Sequence, residues 1–244
     1  MIKITACLSL TLICFSSGVR AQEVPPQLVA RSLAVHGARW VSGDVADWIA
    51  AGKLTYFTVD GPQATFDVRL MRKGRSQVQR VIQQPGGEIR QGSDGVRTWD
   101  SLGGRFASLA QGNALAFIES QTVRSVQSLL NYAAERLSLS DLGEDGGRQV
   151  IEAQDPEGRT TSYFIDARSA LITRLEFVVG ESRNAFSQAP IPVTESWVFS
   201  DFRQVDGLLT PFRIERYRAG IKVEEMQFES VSYNVAVKDE IFKP

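Results

Sequence analysis

The stretch Phe66-Asp67-Val68-Arg69-Leu70 decides the class of fold, because apolar and charged side chains alternate along it with a period of two. Successive side chains of a strand point to opposite faces, so Phe66, Val68 and Leu70 share a dry face while Asp67 and Arg69 meet water. A sheet with one wet and one dry face is an antiparallel sheet.

Outward from this strand the same grammar repeats. On the N-terminal side, Leu54, Tyr56 and Thr58 alternate with Thr55, Phe57 and Val59 before the turn Asp60-Gly61-Pro62. On the C-terminal side a strand from Arg75 to Gln83, a Gly86-Gly87 turn, a short strand from Ile89 to Gly92 and an Asp94-Gly95 turn lead into the strand bearing Trp99. Further strands are predicted over Gln149 to Ala153, Thr160 to Asp166, Leu171 to Val179, Val193 to Phe202, Leu208 to Arg218 and Ile221 to Tyr233. The links are turn sequences: Asp155-Pro156-Glu157-Gly158, Asp166-Ala167-Arg168-Ser169, Asp206-Gly207 and Ala219-Gly220. The prediction is a mainly β (α+β) chain whose antiparallel sheet of about ten strands must twist and curl.

Three helices are expected. The first runs from Gln27 to His36 and stops at Gly37; the second starts near Ser42 or Asp44, carries Val45, Trp48 and Ile49, and ends at Gly52. The third, of about 20 residues from Asn113 to Ala134, repeats Leu115, Ile118, Thr122, Val126, Leu129 and Ala133 at helical spacing, with Phe117, Val123 and Leu130 widening the stripe. Such a stripe needs an apolar mate, and the concave side of the sheet supplies one. Gly103, Gly104 and Gly112 beside it would let the helix carrying Leu115, Ile118, Val126 and Leu129 act as a lid.

The strands place further apolar pairs on common faces: Leu175 with Phe177, Trp197 with Phe199, Phe212 with Ile214, and Met226 with Phe228. With Phe66, Val68 and Leu70 they line one concavity, either as the core under the helices or as the wall of a cleft for an apolar ligand. These strand residues other than Met226, together with Leu115, Ile118, Val126 and Leu129, are the candidate ligand-binding set.

The N-terminus reads as an export signal, with Lys3, an apolar run from Ile4 to Phe15, and cleavage expected after Ala21. That run is shorter than the roughly 20 residues of a spanning helix. The chain thus divides into a signal peptide, 1–21, and a single domain, 22–244, expected to be periplasmic. Cys7 and Cys14 both fall in the leader, so the mature domain can form no disulfide, and Ile13 before Cys14 disfavours a lipoprotein signal. Without Lys3 and Arg20 the mature chain holds 25 basic and 28 acidic residues, a balance that predicts no nucleic-acid partner.

Catalytic signatures are lacking. The mature sequence has no cysteine and one histidine, His36, which at a helix end before Gly37 is expected to cap the last carbonyls or face solvent. No P-loop, nucleophile elbow or dinucleotide fingerprint occurs. The acidic pairs Asp44/Asp47, Glu224/Glu225 and Asp239/Glu240 read as surface groups, and adjacent residues on a strand cannot form one acid/base dyad. No enzyme activity, metal or cofactor is expected.

In order along the chain, Asp94-Gly95 before Trp99, Phe164-Ile165-Asp166 followed by Leu171-Ile172-Thr173-Arg174, Val205-Asp206-Gly207-Leu208-Leu209-Thr210-Pro211, and Asn234 with Asp239-Glu240-Ile241-Phe242 resemble the LolA-like superfamily of lipoprotein carriers and sorting proteins. The resemblance covers nearly all of the mature chain. It implies a half-barrel sheet with helices in its concavity, and a monomeric carrier or chaperone for lipoprotein acyl chains or another hydrophobic ligand. It equally admits an envelope sensing module that binds a membrane protein's periplasmic domain. The stretch from Gly180 to Pro192 reads as a loop without a counterpart in the dedicated carriers. Burying an acyl chain gains about 0.8 kcal/mol per methylene, so ~16 carbons offer on the order of 10 kcal/mol before ordering costs, enough for reversible binding.

Overall fold

The computed structural model describes residues 26–102, 108–183 and 190–244. The expected leader, its cleavage point, and Gly103 and Gly104 lie outside the described residues. The first helix is α1, Pro26–His36, followed by the single turn α2, Arg39–Ser42. Proline at the start of α1 sacrifices no helical hydrogen bond, and Gly37 ends the helix at φ 105°.

The first half of the sheet contains β1 (Asp47–Thr58), β2 (Gly61–Lys73), β3 (Gln77–Gln84), β4 (Gly87–Asp94), β5 (Thr98–Leu102) and the two-residue β6 (Ser108–Leu109). Helices α3 (Gly112–Gln121) and α4 (Val126–Leu130) follow. The second half holds β7 (Ser138–Asp145), β8 (Arg148–Gln154), β9 (Thr160–Asp166), β10 (Ile172–Arg183), β11 (Pro190–Val205), β12 (Leu208–Arg218) and β13 (Ile221–Tyr233), and a 3-10 turn, Asp239–Phe242, closes the chain.

All thirteen strands form one antiparallel sheet in the order β6-β5-β4-β3-β2-β1-β13-β12-β11-β10-β9-β8-β7. Two meanders are thus sewn together along a single long-range seam, β1 against β13, where Trp48 faces Tyr233 and Leu54 faces Met226. The sheet is open, with β6 and β7 at its edges. The sequence pattern missed these two: β6 is very short, and β7 is a mostly polar strand carrying Asp141, Glu144 and Asp145, the charge with which edge strands avoid pairing.

The second expected helix does not form beyond Ser42. Trp48 and Ile49 lie on β1, paired with Arg72 and Met71 on one side and Tyr233 and Ser232 on the other. The Asp47 carboxylate accepts N–H bonds from Val235 at 2.8 Å and Val237 at 3.1 Å. Pairing with two neighbours outweighs the weak preference of so short a segment. Gly52 is therefore no helix stop but a bulge residue opposite Phe228.

The third helix is broken into α3 and α4. The chain leaves the helical path at Thr122 (φ −118°, ψ −98°), and the Ser125 side chain caps α4 by accepting from Ser128 N–H. Between them, Arg124 Nη1 donates to Thr160 O and to Thr161 Oγ1, tying the joint to β9. The break rotates the buried stripe. Ala114, Phe117, Ile118, Leu129 and Leu130 are buried, whereas Leu115 is only half-buried, on the outer side, and Val123 is exposed.

Of the predicted loop from Gly180 to Pro192, the described residues 180–183 and 190–192 are strand, Gly180 pairing with Val193 and Arg183 with Pro190, and 184–189 lie outside the described residues. One apolar cluster fills the concave side, and a smaller one of Met71, Val237 and Phe242 lies on the opposite face under the C-terminal turn. There Trp99 Nε1 donates to Phe242 O at 3.0 Å.

Candidate functional site

The ladders bring the predicted apolar pairs into one surface. Leu175 faces Trp197 across β10 and β11, Phe199 faces Ile214 across β11 and β12, and Ile214 faces Met226 across β12 and β13. Val68, Leu70, Leu175, Phe177, Trp197, Phe199, Phe212, Ile214 and Phe228 are all buried in the concave cluster with Ile118 and Leu129. Phe66 and Val126 are partly buried at its margin, Phe66 against Tyr56 with ring centroids 6.1 Å apart. Leu115 stands outside the cluster and borders an outer hollow with Thr122 and Val123.

Between α1, the α3–α4 joint and the central strands lies a cavity of about 70 Å³, bordered by His36, Trp48, Val126, Phe199, Ile214 and Phe228 among others. Of the expected set, Val126, Phe199, Ile214 and Phe228 reach it; most of the others pack the surrounding core. Ligand pockets for small molecules run to about 300–1,000 Å³. A cavity this small admits no acyl chain unless the helical cover moves.

His36 is buried, contrary to the capping or surface role expected from the sequence. Its Nε2 accepts the Ile172 N–H at 3.1 Å, the ring bonds the backbone of Leu209, and Phe202 meets it edge-on at 6.0 Å. Burial lowers its pKa to about 4, so the imidazole is neutral at physiological pH. It is a neutral clamp between α1 and two strands, and only long-range packing could have revealed that.

The sequence reading also missed a buried ionic network beneath α3. Glu224 is buried, not superficial: it accepts from Arg80 Nη1 at 3.0 Å and lies 3.3 Å from Arg216 Nη1. Arg216 holds Glu195 with two hydrogen bonds, at 2.6 and 2.9 Å, and Arg218 joins Glu195 at 2.5 Å. Burial alone would raise the Glu224 pKa, but Arg80 and Arg216 hold it below the usual carboxylate range. Its neighbour Glu225 is on the other face, with Arg213 and Lys222, as strand alternation requires.

This network fastens the cover. Arg216 Nη2 donates to Asn113 Oδ1 on α3 at 3.2 Å, and the Arg80 guanidinium stands 3.9 Å from the Phe117 ring centre. At α4, Tyr163 OH donates to Ser125 O at 3.2 Å, and Arg72 Nη1 donates to Gln127 Oε1 at 2.9 Å. These polar contacts add to the apolar packing of Ala114, Phe117, Ile118, Leu129 and Leu130 of the two short helices against the sheet.

Among the described residues no group of three His, Cys, Asp or Glu side chains is placed to hold a metal ion, and no helix is long and apolar enough to cross a membrane.

An open, curled antiparallel sheet holding helices and an apolar cavity on its concave side defines a protein of LolA-like fold. Solved structures bear this out. An outer membrane lipoprotein-sorting protein domain from Vibrio parahaemolyticus matches with a TM-score of 0.58 at 13% identity, covering 89% of this chain and 95% of that one. A DUF1329 family protein from Desulfovibrio piger matches with a TM-score of 0.56 at 12% identity, covering 89% and 95%. A LolA superfamily protein from Nitrosomonas europaea matches with a TM-score of 0.55 at 11% identity, covering 90% and 97%. No family model matches the sequence, and neither does any curated protein. The likeness is one of fold.

Proposed function

We propose that this protein is a periplasmic carrier or chaperone, not an enzyme, that takes up a lipoprotein acyl chain or another apolar ligand between the curved sheet and the α3–α4 cover. The observation that carries the reading is the apolar cavity at the joint of a two-piece helical cover, broken at Thr122 and tied to the sheet by apolar packing and by side-chain hydrogen bonds from Arg72 and Arg216. Enlarging it by lifting the cover would expose Phe199, Ile214 and Phe228, and a soluble monomer tolerates little such exposure. Ligand occupancy offsets that cost. The sorting domain and the LolA superfamily protein among the structural neighbours support the same reading.

Native mass spectrometry of the protein recovered from its own periplasm tests it. The expected result is a mature chain beginning at or near Gln22 with a copurifying lipid mass that organic extraction removes. A ligand-free chain that also fails to bind a fluorescent fatty acid would overturn the carrier reading.

A further inference from the structure

Four arginines are buried among the described residues: Arg72, Arg80, Arg124 and Arg216. Three of them grip a carboxylate, Arg80 with Glu224 at 3.0 Å, Arg124 with Glu119 at 3.0 Å and Arg216 with Glu195 at 2.6 Å. Arg72 does not. Its donors reach only neutral acceptors: Nε to Gly74 O at 3.2 Å, Nη2 to Arg75 O at 3.4 Å and Nη1 to Gln127 Oε1 at 2.9 Å. Burial lowers its pKa to about 10, which leaves the guanidinium charged at neutral pH. Glu135 favours that charge only through space and is itself paired with Arg75, so Arg72 has no direct anionic partner; a buried charge so placed is costly, and proteins pair such groups.

Directly opposite Arg72 in the β1–β2 ladder is Trp48. Opposed side chains on one face stand roughly 5 Å apart at Cβ. The Trp48 indole N–H is buried and has no hydrogen-bond partner. Two donors of one sheet face thus lack an anionic acceptor. Both border a polar hollow of about 260 Å³, which shares Trp40, Trp48 and Gln127 with the apolar cavity. The two acids bordering the hollow are already engaged: Asp47 accepts the Val235 and Val237 N–H groups, and Glu135 pairs with Arg75 at 2.7 Å.

From this juxtaposition we infer that Arg72 and Trp48 form the head-group site of the cleft, and that its ligand is an amphiphile bearing an anionic oxygen head, a carboxylate or a phosphate. The inference rests on the carrier reading and adds the class of ligand. The tail lies toward Phe199, Ile214 and Phe228, and the head lies in the polar hollow. Gln127, carried on the short α4, holds the place of the head oxygen while the cover is closed. When the cover lifts, Gln127 withdraws and Arg72 loses its one side-chain acceptor. An anionic head replaces a neutral amide with a charge-assisted bond, which is the stronger of the two. Head recognition and cover opening are then the same exchange.

The test is fluorescence titration of the protein with cis-parinaric acid and with its methyl ester, which share the tail and differ at the head, an anionic carboxylate against a neutral ester. The expected result is that the acid binds at least about tenfold more tightly than the ester. Arg72→Gln should remove that preference while keeping ester binding, Arg72→Lys should keep part of it, and Trp48→Phe should reduce it. Gln127→Ala, which leaves Arg72 in place and removes the competing acceptor, should tighten acid binding. Displacement of the probe by hexadecanoate, hexadecyl phosphate and hexadecanol separates carboxylate from phosphate recognition. Equal binding of acid and ester by the wild type, or an acid preference unchanged in Arg72→Gln, would sink the head-group site and leave the carrier reading standing. Binding of neither probe would remove both.

Discussion

Phe117 of α3 is seated against Trp197 of β11, with ring centroids 6.1 Å apart and planes inclined at 51°. Both side chains are fully buried, and the Arg80 guanidinium meets the same Phe117 ring. This contact places the heaviest apolar anchor of the cover on top of the ionic network, so cover and network are coupled at one residue.

Phe117→Ala is therefore expected to cost about 3–5 kcal/mol, the usual range for truncating a buried aromatic. Urea unfolding measures the loss. Hydrogen exchange should quicken in α3 more than in β12, whereas Asn113→Ala, which removes a single neutral acceptor of Arg216, should cost only about 1 kcal/mol. A uniform effect on all elements would mean that α3 is an integral part of the core and not a separable cover.

Adjacent acids on β13 should behave in opposite ways. Glu224→Gln leaves Arg80 and Arg216 buried beside a neutral group, an expected loss of about 3–5 kcal/mol. Glu225→Gln weakens partly exposed pairs with Arg213 and Lys222, an expected loss below about 1 kcal/mol. Comparable midpoints in thermal melts of the two variants would contradict the network.

His36 predicts acid lability. Its pKa falls from 6.5 to about 4 on folding, so between those values the unfolded chain binds a proton that the folded chain does not. Its contribution to stability is fully present above about pH 6.5, declines as pH falls, and is lost below about pH 4. The span amounts to about 3 kcal/mol. Denaturation midpoints taken from pH 7 to pH 4 should fall more steeply for the wild type than for His36→Gln, and parallel curves would refute the assignment.

Gly52 tests the central seam. A Cβ at this position would lie 2.1 Å from Gln227 O and 2.7 Å from the Phe228 Cα, both backbone atoms of the facing strand. Gly52→Ala should cost at least about 1–3 kcal/mol through overpacking, read as a lower melting temperature. Gly180→Ala, where no atom lies within 4 Å of the added methyl, is the control and should change little.

The period-two alternation in the sequence determined the antiparallel class and the side of the sheet on which Val68, Leu70, Leu175, Trp197, Phe212 and Phe228 are buried. It could do so because strand parity is a local property, set by successive residues whatever the partner. The Asp206-Gly207 and Ala219-Gly220 hairpins were legible for the same reason: both pairs adopt positive φ, which two-residue links demand. Only the tertiary structure decided that β1 joins β13, that Trp48 and Ile49 are strand and not helix, and that the long helical stripe breaks at Thr122. In each case a partner far along the chain overrode a weak local preference. The candidate site divides along the same line. Apolar walls are written in the pattern, but the burial of His36 and Glu224, and the pairing of Arg72 with Trp48 instead of a carboxylate, depend on which distant strands become neighbours. A sequence lists charged residues without saying which will lose water, and it is desolvation in the folded state that makes one arginine a surface group and another a site.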